Sequence, residues 1–320
     1  MIESQSYLDL PPTPAGGTVI SIGVFDGVHL GHQAILAANV SQARKRGARS
    51  TVVTFAAHPK TILLGHAPRT LTTLDHRLEL FERAGIEHSL ALVFDDNLRR
   101  MSARDFLETV LLGGLGACSF VLGFDSKFGA EREGTPAWLR EAGHEVQVVQ
   151  KVMAHERAVS STAIREAVEL GDLNGAASML GRRPSVLGRV VRGAGLGRKL
   201  GFPTANMDLQ HELHPPPGVW AVRAHRLAKG HSAKVDSSWN GVCNIGYRPT
   251  LDGTPPAQPL VEVHLLDFEG DLYGQRLEIE FFEGLRGEQR FDSLEALTAQ
   301  IGRDAAEARA VLARAAGARD

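Results

Sequence analysis

Two histidines three residues apart, His29 and His32, close the stretch SIGVFDGVHLGHQ at 21–33. An apolar run precedes them and a helix-like run follows, so both would sit at the mouth of a helix. Three chemistries suit that placement. A pair at i and i+3 shares one helix face and could give a metal two ligands, but a metal centre needs more, and an HEXXH pattern is absent. The pair could equally be one surface histidine and one hydrogen-bonded core histidine. Or it could face phosphate. A helix N-terminus presents free N–H donors and positive potential, Gly27 and Gly31 permit close backbone approach, and imidazole N–H groups can stabilise charge developing on a phosphate during displacement. The phosphate reading draws the most support.

Other stretches carry similar chemistry. In VSSTAIREAV at 159–168, Ser160, Ser161 and Thr162 offer hydroxyls and Arg165 a planar fork of donors suited to phosphate oxygens. The same SST could serve only as a helix cap, and the two roles are compatible. GRVVRGAGLGRKLGFPTAN at 188–206 suggests a phosphate loop but fits neither common template. Lys199 is followed by Leu200 rather than Ser or Thr, and a G-x-G-x-x-G begun at Gly193 or Gly195 ends on Arg198 or Leu200. By spacing alone this is a flexible hairpin loop. In VEVHL, Val261, Val263 and Leu265 share one strand face while Glu262 and His264 share the other, so Glu262 is either a solvent-facing carboxylate or a proton acceptor.

The elements that must position these residues fall into two sets. TVISIGVF, STVVTF, SLALVF and CSFVLGF read as buried strands, alternating with helical HQAILAANVSQARKRG, HRLELFERAG and ARDFLETVLLGGLG. That alternation predicts an α/β unit with a Rossmann-like parallel sheet, whose ligands gather beyond the C-terminal strand ends. After Pro184 the strands SVLGRVVRG, GVWAVRAHRL, NGVCNIG, PLVEVHLLDF and RLEIEFFEG are separated by Gly- and Pro-bearing turns, predicting an antiparallel β-barrel. HELHPPPG and LDGTPPAQP read as loops. Asp292 and Glu295 have capping-box spacing ahead of one terminal helix, LEALTAQIGRDAAEARAVLARAA. GRRPS at 181–185 is the seam, giving domains 1–182 and 183–320.

The 320 residues carry 35 Lys and Arg against 37 Asp and Glu, so no basic excess points to nucleic acid. Cys118 and Cys243 could pair on paper, but reduced thiols are the simpler reading. The N-terminus lacks the basic and apolar regions of a secretion signal, and no apolar run reaches membrane-spanning length. The expectation is a cytoplasmic protein without nucleic-acid or membrane partners, monomeric or weakly self-associating.

The H-x-G-H stretch resembles the signature of the nucleotidyltransferase superfamily, and the SST-x-x-R stretch resembles the partner motif of flavin adenylyltransferases. No KMSKS-like segment points to a tRNA synthetase. GFPTAN at 201–206, GVCNIGYRPT at 241–250 and VEVHLLDFEGDLYG at 261–274 resemble riboflavin kinases. Together these motifs are similar to the bacterial bifunctional riboflavin kinase/FMN adenylyltransferase family, from Thr18 to about Leu312. The resemblance implies riboflavin, FMN and ATP as substrates, FMN and FAD as products, and Mg2+ as the metal. It implies ATP binding for adenylyl transfer at Gly23, Phe25, Gly27, Asp125, Ser161, Thr162 and Arg165, with His29 and His32 catalytic. It implies kinase nucleotide binding at Gly188, Gly193, Gly195, Gly201, Pro203 and Thr204, Mg2+ held by Thr204 and Asn206, and Glu262 as the base. The chain departs from the pattern at Ser126 and Lys127, where the family's G-x-D-F-R-F-G element has Phe and Arg, at Thr135 after Gly134, and at Ser185 and Trp220 in place of tyrosines. Three other readings remain: a kinase alone, should the altered GFDSKFG element disable the first site; an OB-like single-strand binder, which would need a basic aromatic face; and a hydrolase with zinc on the two histidines.

Overall fold

Strands that bury both faces need helices on either side, and the first half of the chain supplies them. Its strands are β1 (Ile2–Ser4), β2 (Thr18–Ile22), β3 (Arg49–Phe55), β4 (His88–Leu92), β5 (Ala117–Gly123) and β6 (Val146–Val149). They pair in parallel in the order β1-β4-β3-β2-β5-β6. All five residues of β2 and of β4 are buried. The helices are α1 (Leu30–Arg46), α2 (Leu74–Arg83), α3 (Asp96–Arg100), α4 (Ala103–Asp105), which continues as a π-helix over Phe106–Gly114, and α5 (Pro136–Glu141). Ile20, Ile22, Phe120 and Leu122 pack against the π-helix through Phe106, Val110 and Leu111. On the opposite face Val19 and Val121 meet Ala43 of α1, and Val52 meets Leu36 and Val40. The chain winds from β2 through β3 to β4, then crosses to β5 on the other side of β2. The strand order therefore reverses between β2 and β5, where open α/β sheets bind ligands.

In the computed structural model residues 1–59, 69–154, 156–193, 195–210, 212–228, 234–247 and 259–317 are described. Two compact units emerge from Cα proximity, Met1–Ser161 and Thr162–Asp320. A two-residue hairpin, β7 (Met153–Ala154) and β8 (Arg157–Ala158), precedes α6 (Ser161–Glu169) and α7 (Leu173–Leu180).

The second unit is a closed antiparallel barrel of β9 (Ser185–Val191), β10 (Ala205–Asp208), β11 (Gly218–Leu227), β12 (Val235–Gly246), β13 (Leu260–Leu265) and β14 (Arg276–Arg286), in the order β10-β13-β12-β11-β14-β9. α8 (Leu196–Lys199) precedes β10, and α9 (Leu294–Gly317) follows β14. Val186, Val190, Cys243, Val263 and Phe281 fill the interior. Val219, Val242 and Phe282 point outward, where Ala308, Val311 and Leu312 of α9 cover them. Closure removes the sheet edges that an open antiparallel sheet would expose.

Three sequence expectations need correction. α1 starts at Leu30, because His29 itself is its N-cap. The terminal helix is capped by Ser293, whose Oγ accepts from Ala296 N at 3.2 Å, one residue after the anticipated Asp292. The glycine-rich stretch holds a one-turn helix, α8, and a strand, β10, rather than a hairpin loop. Both thiols are free. Arg248–Thr250 of the GVCNIGYRPT match, residues 251–258 of the LDGTPPAQP loop and His211 lie outside the described residues.

Candidate active sites

β2 ends at Ile22, and the chain must turn sharply before α1. Phe25, Gly27 and Val28 all take positive φ, at 53°, 80° and 39°. Such backbone is rare for a bulky or β-branched residue and clusters at functional sites. His29 follows at φ −74° and ψ 173°, and its Nδ1 accepts from His32 N at 3.3 Å. A ring nitrogen that accepts carries no proton, so the neutral imidazole of His29 keeps its hydrogen on Nε2. The two imidazoles stack with centroids 3.6 Å apart, and Phe25 packs edge-on to His32 at 5.1 Å. Gly31 explains the H-x-G-H spacing: a Cβ there would lie 3.2 Å from His29 Cε1. At Gly27 a Cβ would meet Leu71 Cδ1 at 2.7 Å, and at Gly23 it would press on the Phe25 ring. Gly23 and Gly31 make room for side chains of the turn itself, and Gly27 for Leu71 packed against it.

Asp26, which sequence reasoning passed over, holds this turn. Its carboxylate accepts from Leu71 N at 3.2 Å and from Thr72 N at 3.1 Å. Thr72 Oγ1 in turn accepts from Gly27 N at 3.0 Å. Ser161 Oγ donates to Asp26 O at 3.0 Å, joining the SST motif to the histidine turn. Ser161 opens α6, and Arg165 stands four residues along the same helix, hence on the same face. Thr162 and Arg165 fall in the second unit. Asp125 is exposed two residues past the end of β5 and so beside the switch point. Among the described residues no group of three His, Cys, Asp or Glu side chains could hold a metal ion.

In the barrel, register brings together what sequence keeps apart. Glu262 of β13 pairs with Asn206 of β10 on one side and Asn244 of β12 on the other. Directly opposed residues share a face, so Asn206, Glu262 and Asn244 form one outward row. Val261, Val263 and Leu265 fill the interior instead. Asn206 is 5% exposed, and its Oδ1 has no hydrogen-bond partner among the described residues. A buried acceptor left unmatched is costly in an apoprotein, and an amide oxygen is a suitable ligand for a hard cation. Gly193 makes room for this amide, since a Cβ there would fall 2.6 Å from Oδ1. At Gly188 a Cβ would meet Asp208 O at 2.5 Å, a barrel-packing constraint. Gly195 and Gly201 take positive φ of 72° and 86° on either side of α8. Pro203 O accepts from His264 Nδ1 at 2.9 Å, tying the GFPTAN segment to β13.

Two cavities meet at Thr204. A cleft of about 440 Å³ runs between the outer face of the barrel and α9, lined by Thr204, Glu262, Asn244 and Arg286 with apolar Leu297 and Ile301. A second cavity of about 320 Å³ opens at the barrel mouth, lined by Thr204, Pro203, Arg198, Phe268 and Tyr273 over interior Val190 and Val263. One wall of the first cleft is a half-buried ion pair, Arg286 Nη2 to Asp304 Oδ2 at 2.8 Å and Nε to Oδ1 at 3.0 Å. Asn244, Arg286 and Asp304 were not anticipated, for their convergence depends on strand register and on the return of α9. Cys243, on the interior face beside Glu262, has its thiol pushed up by burial and then by that carboxylate, so it is an inert core group.

The departures from the family pattern find local partners. Thr135, where the family pattern has Asp, N-caps α5, its Oγ1 accepting from Trp138 N at 3.1 Å, a role Asp performs equally well. Trp220 Nε1 donates to Pro216 O at 3.0 Å, and Ser185 Oγ to Glu278 Oε1 at 2.8 Å. Ser126 sits in the turn after β5, its N–H donating to Gly123 O at 3.1 Å. Lys127 is exposed, and nothing in the structure explains its replacement of Arg.

A parallel sheet with a stacked histidine pair at its switch point, followed by a closed barrel with a carboxylate–amide row, is the architecture of a two-domain transferase. Comparison with known proteins agrees. An FAD synthetase family model matches residues 12–163 and a riboflavin kinase model residues 180–312. The bifunctional riboflavin kinase/FMN adenylyltransferase of Pseudomonas fluorescens is 41% identical over 94% of each chain. Its namesake in Bacillus subtilis is 35% identical over 91% of each. A crystal structure described as a macrolide-efflux protein from Streptococcus pneumoniae superposes with a TM-score of 0.80 at 28% identity, covering 96% of this chain and 98% of that one. No helix among the described residues is long and apolar enough to cross a membrane. The chain belongs to the bifunctional riboflavin kinase/FMN adenylyltransferase family.

Proposed function

We propose that the chain divides the family's two reactions between its units and that the residues above carry them. In the barrel the riboflavin 5′-hydroxyl attacks the γ-phosphate of ATP, giving FMN and ADP. Glu262 takes the hydroxyl proton as the P–O bond forms. The mixed apolar and polar cleft beside α9 suits the flavin ring, and the barrel mouth, with Tyr273, Phe268 and Arg198, suits the nucleotide. Thr204 lines both, so it stands where hydroxyl and γ-phosphate would meet. Mg2+ would be held by Asn206 Oδ1 and the Thr204 hydroxyl, and when bound it offsets charge on the phosphates. Arg198 and Tyr273 of the mouth orient ATP, and the apolar wall excludes water from the transferred group.

In the parallel-sheet unit the phosphate of FMN attacks the α-phosphate of a second ATP, releasing pyrophosphate and leaving FAD. No protein nucleophile is needed, because FMN brings an anionic one. His29, with its hydrogen on Nε2, and His32 donate to the α-phosphate oxygens as charge builds. Ser161 orients the turn through Asp26 O. The stacked imidazole pair at the switch point is the observation that carries this assignment. Incubation with FMN, ATP and Mg2+, followed by chromatography, tests it: His29→Ala and His32→Ala should each lower FAD formation about 10²–10³-fold and leave riboflavin phosphorylation intact. FAD formation at the parent rate in both variants would refute it.

A further inference from the structure

α2 carries a side chain that the reaction as described does not use. Arg77 is 3% exposed, and its guanidinium reaches the exits of two neighbouring parallel strands. Nη1 donates to Val24 O at 2.6 Å and to Thr54 Oγ1 at 3.3 Å, and Nη2 donates to Phe55 O at 2.9 Å. Val24 lies two residues past β2, and Phe55 closes β3. Thr54 Oγ1 also donates to Val24 O at 3.2 Å, completing a small network around that carbonyl. Burial pulls the guanidinium's pKa down, and the field of Asp26 opposes the fall. A buried cation costs more than an apolar side chain of equal reach. Helix packing alone therefore gives no reason to keep it, whereas bridging two carbonyls on two strands needs a fork of donors.

What the bridge holds is the strained turn. Three of the four residues from Phe25 to Val28 have positive φ, so the conformation must be imposed from outside. The restraints come largely from one short segment, 71–77. Leu71 and Thr72 fix the Asp26 carboxylate and Gly27 N, and Arg77 fixes Val24 O. His29 is the next residue after the turn, and its ring is stacked on His32.

We propose that Arg77 is a positioning residue for adenylyl transfer: by bridging the exits of β2 and β3 it sets where His29 and His32 meet the α-phosphate. The proposal rests on the assignment of those histidines to that phosphate. Lysine has three rotatable donors on one nitrogen but lacks the rigid planar fork that Arg77 lays across the two carbonyls, so it does not fix their spacing. A shift of the histidines by about 1 Å is worth about 10²-fold in rate. It acts on the transition state rather than on substrate binding, so it should appear in kcat and spare KM.

The test is steady-state kinetics on the full chain with Arg77→Lys. The expected result is a kcat for FAD formation from FMN lowered about 10- to 100-fold, with KM for ATP moved less than about threefold. Riboflavin phosphorylation in the same preparation should be unaltered. Thr54→Val, close in shape, removes one bridge partner and should show the same split at about 3- to 10-fold; it decides alone if Arg77→Lys does not fold. A kcat within about threefold of the parent in every folded variant, or a loss matching only the fraction of unfolded protein seen by near-UV circular dichroism, overturns the proposal. His32→Ala run alongside separates the two claims. Full FAD formation in that variant removes the histidine assignment beneath the proposal, whereas its loss with an unaltered Arg77→Lys refutes Arg77 alone.

Discussion

Gly193→Ala probes whether the buried amide of Asn206 works in phosphate transfer. Gly193 follows β9 by two residues, and its Cα faces the Asn206 side chain. An added methyl would lie 2.6 Å from Oδ1 and nearer still to the amide carbon and nitrogen, well inside van der Waals contact. Asn206 has little room to yield. It is 5% exposed, and its backbone is paired to Val191 on one side and Glu262 on the other. Either the amide rotates or the turn after β9 backs away, and both displace Oδ1 relative to Thr204. Overpacking of this kind costs about 1–3 kcal/mol of stability, and a shift of about 1 Å in a positioning group costs about 10²-fold in rate. The assay is initial-rate FMN formation across a Mg2+ titration, with FAD formation from FMN measured on the same sample. Lower turnover and a higher Mg2+ requirement are expected for the kinase, with unchanged adenylylation. Normal turnover at the parent's Mg2+ requirement would refute the assignment of Asn206.

Other expectations concern stability. His88 is fully buried, its Nε2 3.1 Å from Ser4 Oγ, and its folded-state pKa is lowered from 6.5 to about 4, by burial first and by Arg49 second. Between those values the unfolded chain binds a proton that the folded chain refuses, so stability is lost as pH falls below 6.5. The loss should reach about 2 kcal/mol between pH 7 and pH 5, and urea unfolding of His88→Gln should show a flatter pH dependence; an equally steep one would contradict this account. Leu173 of α7 belongs to the barrel's apolar core, and Gly171 lies against Trp220. A fragment beginning at Asp172 should therefore fold and make FMN, whereas one beginning at Arg183 should be about 2–4 kcal/mol less stable through loss of Leu173, as read by denaturant midpoints.

Much of the architecture is legible wherever apolar periodicity runs long enough. TVISI, STVVTF and CSFVLG bury nearly every residue, and the outward and inward faces of VEVHL separate as their alternation implies. The elements that escape notice are short: β1 has three residues, and β6 and β10 have four each. In β10, Ala-Asn-Met-Asp offers no alternation strong enough to mark a strand, yet it brings Asn206 beside Glu262. The histidine pair is visible because its signal is local. Its supports are not: Asp26 and Thr72 are 46 positions apart by position number alone, and Arg77 and Val24 are 53 apart, joined only by sheet order. The same holds for Asn244, for Arg286 and for Asp304, which line the kinase cleft only after the barrel closes and α9 folds back.

The division of labour between the units is tested most directly by Glu262→Gln, which keeps the shape of the side chain and removes the base. The full chain would be given either riboflavin or FMN, each with ATP and Mg2+, and the flavins separated by chromatography. FMN formation from riboflavin should fall about 10²–10⁴-fold, while FAD formation from supplied FMN proceeds at the parent rate. Unaltered FMN formation, or the loss of both products together, would contradict the account.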